Sequence, residues 1–296
     1  MISIAEKNIR DILSTAIQYS EAQKAVVVFD ERCALAISLT EAYRRCLPKA
    51  KIICFEKVAS EAVLAALASL APSDLAVLIQ STNFRLDAFR IRVELFNRGI
   101  KVIEHPHLSS MRGDLQTQYY MESLAYDASY YRGVGRALKS RLDRARLAAV
   151  DSGEERLLFE SGFEPAKLNA GDYSDMKNIG GQFPIGEVFT EAKDLESVNG
   201  SIRIFAFGDT SFQVRKPKKP ILLKVVKGRV VEVADSDPEF DRVLENIRAD
   251  EGEVWLRELG FGLNRAFTEE KIVSDVGTYE RIVRRSFIAG RQTRDL

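Results

Sequence analysis

The sequence is poor in the side chains that most often carry chemistry. Two histidines, His105 and His107, stand among 296 residues, which is a hard limit on imidazole chemistry. Three cysteines, Cys33, Cys46 and Cys54, lie in the first 60 residues and form no CxxC pair. An odd set of this kind excludes a disulfide framework and a zinc ribbon, and reads as small buried side chains in a reducing compartment. No apolar run reaches the ~18 residues of a membrane span. The opening "MISIAEKNIRDIL" mixes charges into apolar residues at helical spacing, unlike a signal peptide, so a cytoplasmic location is expected. Net charge is also missing: Lys plus Arg and Asp plus Glu both total 43. That balance argues against broad capture of nucleic acid or an anionic membrane surface. It also leaves self-association unopposed by repulsion. There is no P-loop and no GxSxG. The GxG in "GVGRAL" (133–138) follows a helical segment, not a strand, which excludes the dinucleotide reading.

What is present is a core-forming chain with two kinds of patterning. At 46% hydrophobic and 29% charged residues, it has the composition of a globular protein. The first half alternates strands and helices. "AVVVFD", "KIICFE", "DLAVLIQS" and "IKVIEH" are short apolar runs of the buried parallel type. Between them, "CALAISLTEAYRRCL", "SEAVLAALASLA" and "FRIRVELFNRG" have helical spacing, closed by Pro48, Pro72 and Gly99. The alternation predicts a doubly wound parallel sheet over residues 1–150. Residues from about 117 to 149 read as helical. From 151 to 296 the β-branched runs predict an α+β domain rich in antiparallel strands. It includes a hairpin turning at Lys227-Gly228 and a helix over "PEFDRVLENIRA" (238–249). "EVWLRELGFGLN" (253–264) reads as a helix that breaks at Gly260.

Candidate chemistry gathers at three places. His105 and His107 flank a proline at the end of a predicted strand, where open α/β sheets place ligands. They are candidate metal ligands, with a polar loop as the plainer alternative. Glu187 follows a Pro-x-Gly turn in "QFPIGEVFT", and Glu258 sits in "RELGFGLN"; each is a structural charge or a ligand. The basic stretch "RIVRRSFIAGRQTR" (281–294) contains Arg284 and Arg285, whose guanidinium forks suit a carboxylate.

Three blocks in order, "FPIGEVFTEA", "LKVVKGRVVEV" and "LRELGFGLN", give residues 150 to 285 a resemblance to the metallo-aminopeptidase family of aminopeptidase T and aminopeptidase S. The resemblance implies that Glu187 and Glu258 match two glutamate metal ligands of that family. It also implies a homodimer and, in an active member, a divalent ion such as zinc, cobalt or manganese that activates water. The sequence departs from the family pattern at several points. Ser286, in "RRSF", stands where the family's first ligand histidine is expected. No counterpart of its later His-x-Asp motif follows before Leu296. Phe183 takes the place of an asparagine before Pro184, with Asn178 further upstream. The expectation is therefore a divergent aminopeptidase-like protein with an incomplete metal site and no bound cofactor. It would act as a peptide- or partner-binding module, with Arg284, Arg285 and Ser286 as ligand-binding residues. The alternatives are an active metal-dependent aminopeptidase that recruits His105 and His107, and a ring-cleaving enzyme like the dihydroxypyridine dioxygenases, which that superfamily also resembles.

Overall fold

The computed structural model describes residues 2–84 and 91–289, except for the side chains of 285–289. The chain forms two compact units, each assembled from several segments. The first takes Met1–Arg132, Ala170–Ile185 and Arg265–Thr278; the second takes Gly133–Asn169, Gly186–Asn264 and Tyr279–Leu296. Among the described residues, no helix is long and apolar enough to cross a membrane.

The first unit is the predicted α/β layer. Strands β1 (Ala25–Phe29), β2 (Lys51–Cys54), β3 (Leu75–Ile79) and β4 (Lys101–His105) run parallel in the order β2-β1-β3-β4. Helices α1 (Ile2–Asp11), α2 (Ala34–Cys46), α3 (Ser60–Ala68), α4 (Ile91–Asn97) and α5 (Asp114–Ser123) accompany them. Every residue of β1 and β3 is buried, as required of strands covered on both faces. Val26, Val28 and Leu78 pack with Val63, Leu67 and Leu95 of the helices in one core. α2 begins where the Cys33 Sγ accepts the Ala36 N–H at 3.4 Å, and it ends just before Pro48. A fifth parallel strand, β8 (Gly180–Gln182), comes from far down the chain and pairs with β4. Gly180 makes that pairing possible. Its φ is +103°, and a Cβ there would stand 1.9 Å from the Val102 carbonyl oxygen.

The division between units falls within helix α6 (Ala128–Arg144). The second unit is built on two antiparallel sheets. One orders as β14-β13-β10-β6-β5, from β5 (Ala148–Ser152), β6 (Glu155–Phe159), β10 (Val198–Ile204), β13 (Ile221–Val226) and β14 (Arg229–Ala234). The predicted hairpin joins β13 to β14. Lys227 and Gly228 both have positive φ, 48° and 73°, as a two-residue type I′ turn needs. The other sheet orders as β16-β15-β9-β7, from β7 (Lys167–Asn169), β9 (Glu187–Glu191), β15 (Leu256–Gly262) and β16 (Arg285–Ala289). A small ribbon pairs β11 (Phe207–Gly208) with β12 (Val214–Arg215). Helix α7 (Pro238–Glu251) starts with Pro at its first position and an Asp237 side chain accepting from Glu239 N–H. It stops at Gly252, whose φ is +80°.

Two sequence expectations are corrected. Residues 117–149 are not continuously helical: α5 and α6 are followed by β5. The stretch 253–264 carries strand β15 (Leu256–Gly262), not a broken helix. Its helical spacing is outweighed by pairing on both sides, with β9 and β16. The Gly180→Ala variant tests how strictly β8 is held. It is expected to lose about 2 kcal/mol or more in urea unfolding, because a backbone carbonyl cannot be displaced cheaply. A change below about 0.5 kcal/mol would show that β8 is not needed there.

Candidate functional site

The two family-matched glutamates lie on adjacent strands of the second unit. In the β9–β15 ladder Glu187 is opposite Gly262, Phe189 opposite Gly260, and Glu191 opposite Glu258. Directly opposed residues project to the same face, so Glu187 and Glu258 share one side of the sheet. They are four residues out of register, however. At about 3.3 Å per residue, that offset is roughly 13 Å along the strands. Both carboxylates are buried, at 3% and 5% relative exposure. The next strand extends the same face: β7 sets Asn169 opposite Glu187 and Lys167 opposite Phe189, with the Lys167 ammonium 5.5 Å from the Phe189 ring centroid.

The segment between β15 and β16 folds back over that face. A Cβ on Gly262 would meet the Ile282 carbonyl oxygen at 1.9 Å and the Arg281 carbonyl carbon at 2.4 Å. The Arg281–Ile282 peptide therefore occupies the side-chain position next to Glu187. Asn264 N–H donates to the Arg281 carbonyl at 2.8 Å, and Gly262 N–H to the Arg284 carbonyl at 3.2 Å. Arg281 is itself 6% exposed; its Nη1 donates to Glu280 Oε1 at 3.3 Å, while its Nε has no hydrogen-bond partner among the described residues. Sequence reading passed over this arginine. The available signal was an arginine between the apolar positions of "YERIV", where a solvated charge is out of place. Arg284 is exposed. β16 pairs Arg285 with Phe261 and Ser286 with Gly260, and the side chains of both lie outside the described residues.

The histidines belong to the first unit. His105 closes β4 and is fully buried. Tyr120 donates its hydroxyl to the Phe183 carbonyl at 3.0 Å, so it accepts from His105 Nδ1 at 2.7 Å. The other nitrogen, Nε2, then accepts from the Tyr43 hydroxyl at 2.7 Å. Both ring nitrogens are thereby held in a polar relay. Burial pushes the imidazole down to about 3, so it is neutral at ordinary pH. His107 has a left-handed backbone, with φ 56°, and its Nδ1 stands 3.4 Å from the buried Asp275 carboxylate. The hydrogen bond to Asp275 raises its titration above the usual histidine value. Among the described residues, no three His, Cys, Asp or Glu side chains converge on a point suited to a metal ion.

No family model and no curated protein matches the chain. Its fold is shared with solved structures. The 2,5-dihydroxypyridine dioxygenase from Pseudomonas putida KT2440 superimposes with a TM-score of 0.60 at 16% identity, over 90% of this chain and 78% of that one. AmpT from Thermus thermophilus superimposes with a TM-score of 0.50 at 16% identity, over 92% and 84%. The shared fold is a parallel α/β layer with a strand-rich remainder.

The tyrosine–histidine relay makes a pH prediction. A buried histidine with a depressed titration leaves the protonated form to the unfolded chain. Its contribution is complete above about pH 6.5 and is lost as pH falls towards about 3. The loss should reach on the order of 4 kcal/mol. Urea unfolding of wild type and His105→Gln as a function of pH should show the extra slope only in the wild type. Parallel curves would mean that His105 titrates in the fold as it does in the unfolded chain.

Proposed function

We propose that this chain is a divergent member of the aminopeptidase T group that binds a peptide or protein partner without hydrolysing it. The observation that carries this reading is the Arg281–Ile282 peptide lying over Gly262, on the face of Glu187. The backbones that carry Glu187 and Glu258 are four residues out of register, so an ion shared by them would need both side chains to lean towards each other along the strands. The space beside Glu187 is taken by backbone. Two buried carboxylates on one face need compensating positive charge. In this reading fixed cations supply it, with Arg281 buried beside the sheet and Lys167 on the shared face. We assign Arg284, Arg285 and Ser286 to a ligand's carboxylate, for which an arginine fork is suited. A homodimer belongs to the same reading, consistent with the balance of 43 basic and 43 acidic residues.

A ring-cleaving activity is the second reading, favoured by the fold match at TM-score 0.60 to the dioxygenase. One experiment separates the three possibilities. The purified protein is titrated calorimetrically with zinc, cobalt, manganese and ferrous iron, then assayed with a panel of aminoacyl amides and with 2,5-dihydroxypyridine. The binding-module reading expects no metal-dependent turnover of either. Micromolar metal binding that disappears in Glu187→Ala, together with metal-dependent amide hydrolysis, would establish the peptidase instead. Iron-dependent ring cleavage would establish the dioxygenase.

A further inference from the structure

A cavity of about 540 Å³ opens in the first unit, apart from the glutamate face. It is lined by residues that follow the carboxyl ends of β1, β2, β3 and β4. In the strand order β2-β1-β3-β4, the chain leaves β1 towards one edge for β2 and returns to the other side for β3. The direction of winding therefore reverses between β1 and β3, and crevices at such reversals are where open parallel sheets take ligands. Asp30 follows β1 and Ser81–Phe84 follow β3, so the cavity sits at that reversal.

Its lining fixes the ligand's chemistry. Phe55 and Phe84 stack on each other with centroids 4.5 Å apart and planes 13° from parallel, giving a flat apolar wall. The charged groups at the cavity already have partners. Asp30 is buried and accepts Ser81 N–H at 2.7 Å and Arg32 N–H at 3.2 Å. Arg32 donates through Nε to Glu56 at 2.5 Å and through Nη1 to the Thr82 hydroxyl at 3.3 Å. His107 is paired with Asp275. Each formal charge at the cavity is thus balanced by a neighbour, and a neutral ligand leaves that balance undisturbed. Neutral groups are available to bind it: the Thr82 hydroxyl proton, and the Asn83 amide and Ser110 hydroxyl, for which no hydrogen bond is formed among the described residues. An amide presents a donor and an acceptor side by side, which matches the edge of a heteroaromatic ring.

We propose that this cavity binds an uncharged heteroaromatic compound of nucleoside size. The ring lies against the phenylalanine wall, its donor–acceptor edge meets Asn83, and its hydroxyls meet Thr82 and Ser110. The volume falls within the range of small-molecule sites, with room for a nucleoside and water. The inference goes beyond the reading of the glutamate face and shares no residue with it, so either can fail alone.

The test is calorimetric titration of the full chain with adenosine, uridine and adenosine monophosphate. Saturable binding of at least one nucleoside is expected, with the monophosphate no tighter than adenosine. Asn83→Ala and Ser110→Ala, which remove no hydrogen bond formed within the described fold, should each weaken it several-fold. Phe84→Ala should weaken it by about tenfold, the scale of one lost stacking face. Circular dichroism of each variant checks that the fold is kept, and the Asn83 and Ser110 variants decide the matter if Phe84→Ala unfolds. Three results would overturn the proposal. One is no saturable binding of either nucleoside at millimolar concentration. Another is binding that all the variants leave unchanged. The third is monophosphate binding at least tenfold tighter than adenosine and lost in Arg32→Ala, which would make the cavity an anion site.

Discussion

The close passage of one peptide over a glycine organises the candidate site. Residue 262 has no side chain, and the Arg281–Ile282 backbone fills the space where one would project. The consequences spread through the register. Gly262 faces Glu187 across the ladder, so the returning chain covers the Glu187 end of the sheet face. The same return aligns Asn264 with Ile282 in a bridge and leads into β16, which pairs along β15. Glu187, Glu258 and Arg281 are all buried within the second unit. Buried charges are tolerated only in company, which is the premise of the reading proposed for this face.

The two units solve the problem of buried polar groups differently. The second concentrates formal charge on a sheet face. The first disposes of charge in closed pairs and relays. His105 is kept neutral between two tyrosine hydroxyls, and Asp30 is spent on two backbone N–H groups that tie the loop after β1 to the loop after β3. A satisfied network of this kind rigidifies its surroundings. It leaves the loops at the strand ends shaped but electrostatically quiet, a setting suited to recognising a ligand by shape, stacking and neutral hydrogen bonds.

Much of this was legible in the residues. The apolar runs of β1 and β3 announced buried parallel strands, and Lys227-Gly228 announced its hairpin turn. Both succeeded because the signal is local: burial on two faces, or φ positive at two adjacent positions. The strand 256–262 was misread because its stabilisation is not local. "LRELGFG" earns its extended form from β9 and β16, and nothing within the seven residues records those neighbours. β8 was invisible for the same reason, since "GGQ" is three residues whose partner lies nearly 80 positions earlier in the chain. Of the candidate site, Glu187 and Glu258 are singled out by their blocks, and their common face follows from pairing that only the fold reveals. Arg281 was overlooked because its burial depends on the returning chain.

The central claim is that the glutamate face is completed by the protein itself rather than by a bridging ion. Anomalous diffraction tests it most directly, on crystals grown with excess zinc or manganese and measured at the metal's absorption edge. The account predicts no anomalous peak within bonding distance of Glu187 or Glu258, with the Arg281–Ile282 peptide in place over Gly262. A strong peak liganded by either carboxylate, with that peptide displaced, would contradict it.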